Sequence, residues 1–118
     1  MASTDVKTVR RNFAELVNMS AAELTEWLAS DDSKKVGWKG KDGKRTESVG
    51  HASGRRIVEI LVTSEAHLTA ADEAHMRKVV GFIRRHSAQR PENIFTSRWR
   101  YSLMNWGHDP VKDFGETD

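Results

Sequence analysis

The chain contains no cysteine and only two prolines. Without thiols there is neither a disulfide nor a thiolate metal site, so zinc-finger frameworks are excluded and a reducing compartment suits the protein. The two prolines, Pro91 and Pro110, lie beyond periodic segments rather than inside them, so nothing interrupts the helical patterns that precede them. No stretch nears the roughly 18 apolar residues of a membrane span, and the opening MASTDVKTVRRN lacks an apolar run of signal length. The expectation is a soluble protein, cytoplasmic or nucleoid-associated, with no membrane partner. Apolar residues make up only 37% of the 118 positions, but four Trp and four Phe can bury large areas. A chain of this length forms one domain with one core.

The net charge of +2 hides a sorting along the chain. Residues 33–58 hold eight Lys or Arg against Asp42 and Glu47, and residues 77–100 hold seven against Glu92. The remainder is acidic. Two basic blocks of this kind point to one positive surface, although charge runs also form ordinary solvated helix faces.

Helical periodicity appears five times. Residues 5–18 place Val6, Val9, Phe13, Leu16 and Val17 on one face, with Thr4 or Asp5 as the cap. Ser20 and Glu23 form a capping-box pattern for residues 20–30, with Met19 and Leu24 at the positions of a hydrophobic staple. Ser53 is read as the cap of residues 53–64, whose Ile57, Val58, Ile60, Leu61 and Val62 are apolar on nearly all sides. The longest pattern runs over 69–90. Thr69 and Asp72 cap it, Met76, Val79, Val80 and Ile83 make its apolar stripe, and Arg77, Lys78, Arg84 and Arg85 stand opposite. A last helix over 96–106 aligns Trp99, Leu103 and Trp106 and ends at Gly107. The expected core is Phe13, Leu24, Trp27, Ile57, Leu61, Met76, Val80, Ile83, Trp99, Leu103 and Trp106.

Periodicity is lost over 33–52. Glycines, an Asp-Gly pair and six cations there fit a short basic hairpin or a loop. Trp38 is expected to pin this loop to the core, because an exposed indole is costly.

Most chemistry fails on spacing. The five histidines form no HExxH or His-x3-His pair, and Asp72 with His75 makes too small a metal set. There is no G-x-S-x-G elbow. Gly37 to Arg45 lacks the spacing, the hydroxyl and the preceding strand of a Walker loop. No catalytic residue, metal or cofactor is expected. What remains is phosphate binding. Lys34, Lys35, Lys39, Lys41, Lys44 and Arg45 would displace counterions from nucleic acid. Ser53 and Gly54 would offer free amides at a helix N-terminus beside Arg55 and Arg56. Arg84 and Arg85, or Arg55 and Arg56, would reach base edges.

The runs MSAAELTEWLASDDSKKVGW, VGHASGRRIVEIL, AHMRKVVGFIRRHSAQRP and RWRYSLMNWGHDP resemble the signature segments of the domain of unknown function 3140 family, in order, over about residues 12–112. Membership implies a short protein with no accepted catalytic residues, and some members are labelled DNA-binding. Residues 20–62 are also similar to the helix-extension-helix of SAP-type DNA-binding modules, where basic residues at the start of the second helix face DNA. Arg55 and Arg56 occupy the matching positions, although the intervening loop is longer and more basic than in that motif.

The fold class expected is all-α: a compact bundle of about five helices over 1–108, with a basic loop or short hairpin between the second and third, and an acidic, flexible tail over 109–118. The function expected is non-enzymatic DNA binding, with duplex DNA gripped mainly by its phosphates. The alternative is a protein-interaction module that meets an acidic partner through the same basic face and RWRYSLMNWGHDP.

Overall fold

A computed structural model describes residues 2–114. The fold is all-α. It comprises α1 (Ala2–Leu16), α2 (Ala21–Leu28), α3 (Asp31–Lys35), α4 (Val49–Leu61), α5 (Ala70–Ser87) and α6 (Arg98–Asn105), with short 3-10 turns at Glu65–His67 and Pro110–Phe114. No strand forms among the described residues.

Both capping boxes form. Ser20 Oγ accepts from the Glu23 amide while Glu23 Oε1 accepts from the Ser20 amide, and Thr69 and Asp72 do the same at α5. Three starts differ from expectation. Helix α1 begins at Ala2, so Thr4 and Asp5 lie in its first turn instead of before it. The turn residues after α2 nucleate a further helix, because the Ser30 hydroxyl accepts from the Ser33 amide and caps α3. Lys34 and Lys35 therefore sit on a short helix, not in a loop. Helix α4 starts at Val49, capped by Ser48, whose hydroxyl accepts from the His51 amide.

The long helix α5 packs along α1, and α2 packs on α4, with α6 wedged against α2, α3, α4 and α5. Leu24, Ile57, Val79, Ile83 and Leu103 are fully buried where these faces meet. Each such side chain contributes on the order of 1.5–3 kcal/mol by leaving water. Every residue of the expected core lies in this cluster or packs on it. Val62, read as part of the apolar third helix, is instead the residue after α4 and is 70% exposed.

The interior is closed by one polar side chain. Asn105, 1% exposed, accepts at Oδ1 from the Trp27 indole N–H (2.7 Å) and from the Ser33 hydroxyl, and donates from Nδ2 to the Ser33 carbonyl (3.0 Å). Its amide thus joins α2 and α3 to α6. Behind it, α4 approaches so closely that a Cβ on Gly54 would meet the Asn105 carbonyl oxygen at 2.5 Å and Leu28 Cδ2 at 2.7 Å.

After α6 the chain is held back onto α1. Gly107 adopts φ +83°, a conformation that L side chains resist, and its carbonyl accepts from the Met19 amide. His108 Nδ1 donates to the Leu16 carbonyl, and Asn18 and Asp109 exchange side-chain and backbone bonds of 3.1 and 2.8 Å. Asp109 also receives two bonds from the Arg100 guanidinium, and Lys112 bonds the Asn18 carbonyl and Glu23. The first part of the expected tail is therefore docked; residues 115–118 lie outside the described residues.

Asn105→Ala leaves the Trp27 N–H and the Ser33 groups without partners, and is expected to cost about 3 kcal/mol in urea unfolding. Gly54→Ala forces α4 away from α6 and is expected to cost a similar ~2–3 kcal/mol through overpacking, seen as a lower denaturation midpoint.

Candidate nucleic-acid interface

The cations separate by whether a carboxylate holds them. Arg10 bonds Glu73 at 2.6 Å, Arg56 bonds Asp72 at 2.8 Å, Arg100 bonds Asp109, and Lys112 bonds Glu23. Arg55 engages Glu47 with two bonds of 2.8 and 2.6 Å, and His51 closes on the same carboxylate. The Arg55 guanidinium, followed by the His51 contact, lowers the Glu47 pKa to about 2. The acids that hold Arg55 and Arg56 come from the loop before α4 and from the first turn of α5.

These facts correct one group of expected contacts. Because α4 begins at Val49, Ser53 and Gly54 lie inside the helix and are buried, and their amides are not a free N-terminal anion site. Ser53 Oγ instead shares a 2.9 Å hydrogen bond with His75 Nε2. Arg55 and Arg56 fall in the second helical turn, where they tie α4 to its surroundings. Asp72 is likewise occupied, and no cluster that could hold a metal ion is found among the described residues.

The other expected cations are differently placed. Lys34, Lys35, Lys41, Lys44 and Arg45 are exposed, Lys39 is partly so, and among the described residues none forms an ion pair. The segment that carries most of them is a hairpin-like turn without a strand ladder: the Arg45 amide bonds the Lys39 carbonyl, Gly43 bonds Gly40, and Asp42 Oδ1 accepts from the Lys44 amide. Its neck is tight. Val36 is buried, a Cβ on Gly37 would meet Ser48 Oγ at 2.8 Å, and the Trp38 carbonyl accepts from the Val49 amide. Val36 thus anchors the loop, the part expected of Trp38. The Trp38 indole is 61% exposed, because the positive φ of Gly37 turns the chain outward immediately after the anchor.

Trp38 lines a groove of about 220 Å³ with Val49, Lys78, Phe82, Arg85 and Trp106. Past Gly37 and Ser102 it continues into a hollow of about 370 Å³ lined by His86, Gln89, Arg98 and Trp99. None of the described lining residues of either is acidic. By contrast, the hollow beside Met19 and Trp27 holds Glu23, Glu26 and Asp109. Helical geometry explains which cations reach the trough. Arg84 and Arg85 stand about 100° apart, so Arg85 faces the trough with Lys78 seven residues before it. Arg84 follows Arg77 and Glu73 down the α1 side of α5.

The trough floor is aromatic. Trp106 stacks on Phe82 at 4.2 Å and on His75 at 6.4 Å, and Phe82 stacks on His86 at 5.0 Å. Trp99 Nε1 donates to the His86 carbonyl. Burial, with Arg56 and Lys78 nearby, pushes the His75 pKa down, and burial alone does so for His86. Both rings therefore resist protonation. Most of RWRYSLMNWGHDP is spent in the same way: Leu103, Asn105, Trp106, His108 and Asp109 are buried. Lys78, Arg98 and the exposed Trp38 are the trough residues that sequence reasoning did not assign to the site. The seven-residue spacing of Lys78 and Arg85 was the available signal for one of them.

The structure is thus a small helical domain with an aromatic trough that no described acidic residue lines and a cationic loop at its rim. A family model described as protein of unknown function (DUF3140) matches residues 12–104, and the chain belongs to that family. No curated protein and no solved structure matches it.

The lowered histidine values set a pH dependence. The unfolded chain takes up protons near pH 6.5 where folded His75 and His86 do not, so stability is highest above that pH and declines as pH falls below it. Glu47 adds a second loss as pH falls from 4.5 toward about 2. Thermal unfolding between about pH 7 and pH 5 should show the first loss, and His75→Gln should flatten it.

Proposed function

We propose that the protein is a non-enzymatic DNA-binding protein that grips mainly the phosphate backbone. The supporting observation is the contrast between paired and unpaired cations. Arg10, Arg55, Arg56, Arg100 and Lys112 are held by carboxylates. The loop cations, and Lys78, Arg85 and Arg98 along the trough, form no ion pair among the described residues. Exposed cations that no carboxylate holds are free to displace counterions from a polyanion, and each phosphate so neutralised adds to affinity. The glycines of the loop, Gly40 and Gly43 at φ +94° and +69°, let its backbone follow a curved surface.

Fluorescence anisotropy with labelled DNA at a series of salt concentrations tests this reading. About six neutralised phosphates give a slope of log K against log salt near −5 on duplex and about −4 on single strand. Charge reversal of Lys39, Lys41 and Lys44 to Glu should weaken binding by at least about tenfold and leave the helical circular dichroism unchanged, since all three lie outside the core. Unaltered affinity in that variant would remove the loop from the interface.

A further inference from the structure

We infer that Trp38 is a stacking platform for an unpaired nucleobase, and that the trough between α5 and α6 carries a short length of single-stranded DNA. The inference rests on the DNA-binding reading and deepens it, from phosphate contact alone to a strand whose bases are accessible.

Three observations meet at this trough. The first is the indole itself. Trp38 is the most exposed aromatic among the described residues at 61%, yet its backbone is held, with its carbonyl bonded to the Val49 amide and Gly37 pressed against Ser48. A large apolar ring carried on a held backbone and left in water forgoes the stabilisation of burial. A planar ligand that stacks on it recovers that loss. The second is charge. Lys78 and Arg85 lie in the same groove as the indole, and Arg98 lies in its continuation, with no acid among the described lining residues. That distribution favours an anionic occupant and disfavours a basic peptide. The third is shape. The two hollows share Gly37 and Ser102 and follow α5 from Lys78 to His86, roughly 12 Å at the rise of an α-helix, and continue past its end to Gln89. This is the run of a few linked nucleotides and not the outline of one small molecule.

A π-face flanked by cations is how proteins bind single strands without reading sequence: each base offers a ring to stack, and each phosphate a charge to neutralise. A duplex hides those rings in its own stack. Its phosphates can still meet the loop cations, but its paired bases cannot cover Trp38.

The test compares two labelled strands of equal length, oligothymidylate and its abasic counterpart, which carry the same phosphates with and without bases. Wild-type protein should bind oligothymidylate about tenfold more tightly than the abasic strand. Trp38→Ala should lose this advantage and bind both strands as wild type binds the abasic one, while Trp38→Phe should keep part of it. Lys78→Glu with Arg85→Glu should weaken both strands together. Equal binding of the two strands by wild type, or an unchanged preference in Trp38→Ala, would overturn the stacking role and leave phosphate binding standing. No binding of either strand or of duplex at low salt would overturn the DNA-binding reading along with it. Trp38, Lys78 and Arg85 are all exposed, so the variants should fold, and unchanged thermal unfolding verifies that they do.

Discussion

The Asn105 side-chain amide is the constraint on which the rest of the structure depends. Leucines and isoleucines would bury themselves in many relative arrangements of six short helices, because the hydrophobic effect has no direction. A primary amide sealed from water has only the partners it was built beside. It requires the Trp27 indole N–H on α2 and the Ser33 hydroxyl and carbonyl on α3, which places these two helices and α6 in one register. The backbone carbonyl of the same residue, with Leu28, leaves room only for glycine at position 54 of α4. Because α3 is set in this way, Val36, just after it, is delivered to the core, and the loop leaves the domain at a defined point.

From that exit point the charge distribution follows. The loop neck brings Trp38 beside the trough face of α5, where Lys78 and Arg85 stand. The carboxylates that could have neutralised this region are engaged elsewhere: Glu47 with Arg55 and His51, Asp72 with Arg56 and its own helix cap, Glu73 with Arg10. Ion pairs at such partly exposed positions add little to stability. Their larger consequence is that none of these three carboxylates lines the trough, whose described lining residues include no acid.

Legibility in the sequence tracked how local the deciding interaction was. Both capping boxes and the apolar stripe of α5 were readable because each depends on residues three to seven positions apart. The start of α4 was misread because Ser48 and Ser53 are equivalent candidates locally. Ser53 is instead taken by His75, 22 residues away, and Gly54 is packed under α6. Contacts of the same non-local kind pair Arg55 with Glu47 and Arg56 with Asp72. Trp38 was misassigned on a rule about indoles in general, while the neighbouring valine, smaller and next to α3, filled the available space.

The sequence by itself therefore determined the helical class, the membership of a single core, the absence of any thiolate or cysteine-based chemistry, and the concentration of basic residues in two blocks. Periodicity, capping and composition act within a few residues of chain and need no knowledge of the rest. Only the tertiary structure decided which cations find a carboxylate and which remain solvated, and which tryptophans are buried by their neighbours and which one is left facing the trough. Ion pairing and burial depend on contacts between segments separated by tens of residues, and those separations close only when Asn105 and the core around it bring the helices together.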